Sequence, residues 1–151
     1  SSQVAEWLFK YTETLLPELL NRVLTVVEDH PEGTAVALRR VIPALSTPVM
    51  VLNGDTVPRY NLKRLLDAYG NFEPHPRMIP GMAAWYQGKY AGAAVMSKSA
   101  LNTIALGTQS DLDFYIAGMY HFEITEGYLD IGTPEQYYRA QNINILKEFQ
   151  S

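Results

Sequence analysis

The chain has 151 residues, enough for one domain with a continuous core and too few for two ordinary ones. With 47% hydrophobic and 19% charged residues its composition is that of a folded globular protein, which excludes a disordered or fibrous chain. A net charge of -4, a pI of about 5.3 and scattered lysines and arginines exclude an electrostatic footprint for nucleic acid or an anionic membrane, and no apolar run approaches the roughly 20 residues of a membrane span.

Val4, Trp7, Leu8, Tyr11, Leu15 and Leu16 recur at helical spacing, which predicts a helix over residues 2–16. The β-branched run 22–29 predicts a strand, followed by a loop at His30-Pro31-Glu32-Gly33 and a second helix from Thr34 to Leu45. The unalternating run "PVMVLN" predicts a strand covered on both faces, as in a parallel sheet with helices above and below. It stops at Asn53-Gly54-Asp55-Thr56, and a helix with Leu62, Leu65, Leu66 and Tyr69 inward follows, with Gly70 as its C-cap. Three prolines make the segment 71–81 irregular. Apolar runs on either side of Gln87-Gly88 predict a hairpin, residues 97–106 and 110–120 two short helices, and "HFEITEGYLDIG" a strand pair or bent strand. The last helix starts at Thr133-Pro134, with Gln136 completing a capping box. This alternation of helices and strands is the rhythm of an α/β fold, in one domain over residues 1–151.

Two aspartates occupy the positions that matter most in such a fold. Asp55 lies just beyond the carboxyl end of a buried strand, where open α/β sheets bind ligands, although Asn, Gly, Asp and Thr are also ordinary turn formers. Asp130 ends another apolar run directly before a glycine and a helix start, where a capping role is the plainer alternative. Brought together, they would form a hard-oxygen site suited to magnesium, which takes one or two carboxylates plus phosphate and water oxygens. Gly33-Thr34-Ala35 stands at a strand-to-helix junction whose backbone N–H groups could meet an anion or a base edge. The three histidines have no ligand spacing, and serine-hydrolase, Walker and HExxH motifs are absent. With no cysteine, the chain has no disulfide or thiolate zinc site, which fits the reducing cytoplasm.

Four stretches, "EGTAVALRRV", "VLNGDTVPRYNLKRLLDAY", "YAGAAVMSKSAL" and "YLDIGTPEQYYRAQ", resemble in order the motifs of the sugar-1-phosphate nucleotidyltransferases, in particular the mannose-1-phosphate and heptose-1-phosphate guanylyltransferase branch. The resemblance implies a Rossmann-like mixed sheet flanked by helices. It also implies the joining of a sugar 1-phosphate to a nucleoside triphosphate, GTP being favoured, with release of pyrophosphate. It makes Asp55 and Asp130 the catalytic residues and the Mg2+ ligands. It puts Glu32, Gly33, Thr34, Ala35, Asn53 and Gly54 against the nucleotide, and Tyr90, Ala91 and Gly92 in the sugar pocket. Gly33→Val should then weaken nucleotide binding and leave the fold intact.

The departures from that family are equally specific. The glycine-rich G-G-x-G-T-R loop with its downstream lysine, and the E-K-P motif, have no counterpart, and Tyr90 replaces the asparagine that usually precedes Ala-Gly. The expectation is therefore a domain incomplete at its N-terminus. The alternative is a non-catalytic nucleotide or nucleotide-sugar binding module or assembly subunit of the same fold, and a homo-oligomer is compatible with either.

Overall fold

Small residues in strict alternation build the centre of the protein, whose computed structural model describes residues 26, 30, 32–41, 46–105 and 110–141. The predicted helix 2–16 lies outside these residues, as do the predicted strand 22–29 apart from Val26 and the ends of three later helices, 42–45, 106 and 142–149. Helix α1 (Thr34–Val41) leads to strands β1 (Val49–Leu52) and β2 (Thr56–Pro58), helix α2 (Leu62–Gly70), and strands β3 (Gly81–Tyr86) and β4 (Lys89–Met96). Helices α3 (Lys98–Asn102) and α4 (Leu112–Ile116), strands β5 (Tyr120–Glu123) and β6 (Tyr128–Asp130), and helix α5 (Pro134–Gln141) complete the described chain.

The β3–β4 hairpin turns at Gln87-Gly88, where φ is +50° and +76°, the two positive values that a tight turn matching the strand twist requires. Among the described residues its strands are the middle of a four-stranded sheet of order β1-β4-β3-β5, in which β1 and β3 run antiparallel to β4 while β5 runs parallel to β3. The sheet is thus mixed and flanked by helices, as expected. Along β4, Ala91, Ala93 and Val95 enter one core and Ala94 and Met96 the other; along β3, Met82 and Ala84 oppose Ala83 in the same way. The first core is closed by Tyr60, Ile124 and Leu65 of α2, the second by Ala35 of α1, Ala100 and Leu101 of α3, and Leu112 and Ile116 of α4. Complete burial of Leu65 contributes about 1.5–3 kcal/mol to holding α2 on the sheet.

Three expectations change. The run 49–52 is covered on both faces, Met50 packing on one core and Val49 and Val51 on the other, but its described neighbour is antiparallel, because the chain returns through the hairpin. The segment 121–132 is neither a pair nor a bent strand. Its two halves join different sheets, β5 beside β3 and β6 antiparallel to β2, because Thr56–Pro58 adds a short strand that its proline-ended sequence hides. Gly70 is the last residue of α2 rather than its cap; the Asn71 backbone N–H reaches the carbonyl of Ala68 at 3.2 Å, while Asn61 caps the other end by accepting from the Lys63 N–H.

Candidate functional site

The two-stranded β2–β6 ladder does what no local pattern could: it sets Thr56 directly opposite Asp130. Asp55 then stands one residue beyond the ladder, and its carbonyl accepts the Ile131 N–H at 2.8 Å. The turn that follows Asp130 is tightened by the Gly132 N–H, which donates to Asp130 Oδ1 at 2.9 Å. As a result both carboxylates lean over Gly132. A Cβ at that glycine would lie 3.2 Å from Asp130 Oδ1 and 3.3 Å from Asp55 Oδ2, so the two oxygens are no farther apart than about twice that distance. Both aspartates are exposed. The helix just after the turn is fixed by the reciprocal capping box, with Thr133 N–H on Gln136 Oε1 and Gln136 N–H on Thr133 Oγ1.

The donor set suits a hard cation. Asp130 accepts one hydrogen bond from Gly132, and Asp55 Oδ1 accepts one from Thr56 Oγ1 at 3.3 Å, which leaves most of the lone pairs of each carboxylate available. Two carboxylates over a small residue, open to water, are what magnesium uses when phosphate oxygens complete its shell. Among the described residues no group of three or more His, Cys, Asp or Glu could hold a metal, so any cation here rests on this pair and on its ligands.

Asp55 also lines a cleft of about 620 Å³. Its apolar floor comes from Ala37 and Leu38 of α1, Val51 and Leu52 of β1, and Leu112 of α4, with Thr34, Asn53 and Gly54 at the rim. Asp111 and Asp113 face it from the start of α4, and among the described residues no lysine or arginine lines it. No local pattern points to Asp111, Leu112 or Asp113, whose places near Asp55 depend on α4 packing under the sheet. Asp130 lines a second, smaller cleft of about 300 Å³ with Tyr86, Gln87, Lys89 and Tyr128.

The remaining sequence candidates are engaged by contacts within the chain, and Thr34 among them stays exposed at the cleft rim. Glu32 pairs with Arg40, and its carbonyl accepts the Ser110 N–H at 3.0 Å. The Ala35 N–H donates to the Ser110 carbonyl, and Thr34 Oγ1 accepts the Leu112 N–H at 2.9 Å. Gly33 has φ +96°, and a Cβ there would meet the Ser110 carbonyl oxygen at 2.3 Å. The glycine is therefore needed for close approach of two backbones, and Gly33→Val would disturb the fold, contrary to the sequence expectation. Ala91 is fully buried beneath Tyr60, whose hydroxyl donates to its carbonyl at 3.3 Å. Gly92, at φ +80°, accepts the Asn53 N–H and leaves room for Thr56, whose Cγ2 would be 2.5 Å from a Cβ. The Tyr90 hydroxyl is buried without a hydrogen-bond partner among the described residues, and burial, with Tyr60 and Asp113 nearby, pushes its ionisation well above the ordinary tyrosine value.

No family model matches the chain, and no curated protein resembles it significantly. Its fold is similar to that of a solved structure, HddC from Yersinia pseudotuberculosis complexed with GMP-PN, with a TM-score of 0.64 and 17% identity over 90% of this chain and 72% of the other. No helix among the described residues is long and apolar enough to cross a membrane.

Proposed function

We propose that this fold serves a nucleotidyltransferase that joins a sugar 1-phosphate to a nucleoside triphosphate, giving an NDP-sugar and pyrophosphate. The observation that carries the proposal is the convergence of the Asp55 and Asp130 carboxylates over Gly132, at the edge of a cleft large enough for a nucleotide. The four motifs in family order and the likeness to a fold that holds a guanosine nucleotide support it, and they make GTP the first nucleotide to test.

In the proposed reaction an oxygen of the sugar phosphate forms a bond to the α-phosphorus. The bond from that phosphorus to the β-bridging oxygen breaks, and its electron pair leaves with pyrophosphate. The nucleophile is already an anion near neutral pH, so no side chain has to remove a proton. Asp55 and Asp130 would hold Mg2+, which when bound offsets the phosphate charge and aligns the triphosphate. Asn53, Gly54 and Thr34 edge the nucleotide cleft, while Ala37, Leu38, Leu52 and Leu112 offer an apolar floor to base and ribose. An acidic lining cannot attract a triphosphate by itself, so binding should depend on the divalent cation. The cysteine-free chain suits a cytoplasmic reaction.

Calorimetric titration of the intact protein with GTP, with and without magnesium, tests the reading together with a pyrophosphate-release assay containing sugar 1-phosphates. Magnesium-dependent binding and turnover that Asp55→Asn abolishes are the expected results. Magnesium-dependent binding without turnover would favour the non-catalytic nucleotide-binding module.

A further inference from the structure

We propose that β5 (Tyr120–Glu123) is the seam of a weak homodimer, in which two copies of this chain join their sheets edge to edge, antiparallel, about a two-fold axis at Phe122. The inference does not depend on the transfer reaction. Among the described residues β5 pairs with β3 alone, so its outer row of backbone N–H and C=O groups has no described strand beside it. Tyr120, His121 and Glu123 are exposed along that edge.

Sheet edges that stay single are commonly blunted by proline, lysine or a bulge. β5 carries none of these. Its sequence is Tyr-His-Phe-Glu, and its ladder to β3 runs without a shift from the Met82–Tyr120 pair to the Trp85–Glu123 pair. The irregularity of β3, between Ala83 and Trp85, concerns its pairing with β4. The edge is left regular, and a regular edge is a template for another strand.

The two faces of β5 select which strand that is. His121 stacks on Trp85 with ring centroids 4.0 Å apart and planes at 24°, and Trp85 packs on the core closed by α1, α3 and α4. Glu123, two residues on, shares that face. Phe122 packs on the opposite core, and Tyr120 lies on its side of the sheet, edge to face with Phe72 at 5.0 Å. A two-fold axis perpendicular to the sheet keeps each face continuous, so directly opposed residues must come from the same face. Centred on Phe122, the seam sets Phe122 against its own copy on one face. On the other, His121 meets Glu123 of the second copy, and the symmetry makes this pair twice. Opposed Cβ atoms lie about 4.5–5.5 Å apart, within reach of an imidazole N–H and a carboxylate. A seam centred on His121 would oppose the two imidazoles, and one centred on Glu123 two carboxylates. Charge therefore favours the Phe122 register, and the strand is complementary to itself. Four residues at about 3.4 Å each make a seam about 14 Å long, shorter than stable dimers use, so the association is weak and requires high concentration.

Sedimentation velocity of the intact protein from about 10 μM to about 1 mM, the range in which small interfaces associate, tests the proposal. A monomer–dimer equilibrium is expected. Glu123→Lys sets an ammonium against the imidazole N–H, His121→Glu opposes two carboxylates, and each acts twice across the axis, so each should raise the dimer Kd about tenfold. The double variant restores complementarity with the pair reversed and should return the Kd to within about threefold of wild type. Urea unfolding separates loss of the dimer from loss of the fold. A readout free of variants is hydrogen exchange in the wild-type protein, where rising concentration should slow the amides of residues 120–124. A monomer throughout the concentration range would overturn the proposal. So would protection confined to another element, such as α5, or a dimer indifferent to both single substitutions.

Discussion

The Asp130–Gly132 turn, with Asp55 brought beside it, and the Glu32–Ala35 loop look alike in sequence, each a short polar segment with a glycine at the edge of a helix or strand. In the folded protein they do opposite things. The loop gives the Ala35 N–H, the Thr34 hydroxyl and the Glu32 carbonyl to residues 110–112, and Gly33 lets that backbone come close. The turn keeps two carboxylates exposed and aimed at one point. Where a segment's polar groups are satisfied separates a joint from a site, since a buried backbone group must find a partner within the chain whereas an exposed carboxylate can wait for a ligand.

The largest effect that would break this contrast is Asp55→Asn. Turnover in a pyrophosphate-release assay should fall roughly 10²–10³-fold, while the unfolding free energy stays within about 0.5 kcal/mol of wild type because the residue is exposed. Gly33→Val should do the reverse. It forces a β-branched residue into a left-handed conformation against the Ser110 carbonyl, at about 3 kcal/mol in urea unfolding. A stable Gly33→Val protein with weakened nucleotide binding would instead give Gly33 itself a place in the site.

Thr34→Val removes the acceptor of the Leu112 N–H and should cost about 1–2 kcal/mol, readable as a lower urea midpoint. The smallest effect belongs to the buried segment beside the site. Burial pushes the Tyr60 hydroxyl up to about 12 from 10.0, so the folded state favours its neutral form. That contribution is complete below pH 10.0 and is lost as pH rises through about 12. Tyr60→Phe should lose about 1 kcal/mol near neutrality with its bond to the Ala91 carbonyl. In pH-dependent unfolding it should then weaken less than wild type above pH 10.0.

The elements with a strong local signature were legible in the sequence. The Thr133–Gln136 capping box, the Asn61–Gly70 helix and the Gln87-Gly88 hairpin each rest on contacts between near neighbours, and each forms where its pattern lies. The two aspartates could also be picked out, because a carboxylate ending an apolar run is visible locally. Tertiary structure alone decided which glycines are joints: Gly33 answers to Ser110 and Gly92 to Thr56, contacts between distant positions that leave no periodic trace. The short strand Thr56–Pro58 likewise exists because Tyr128–Asp130 pairs with it, and that pairing brings Asp55 and Asp130 over Gly132. Composition and spacing specify what a segment can form by itself, but the convergence of two carboxylates over one glycine is set by long-range strand pairing, whose register depends on both partners at once.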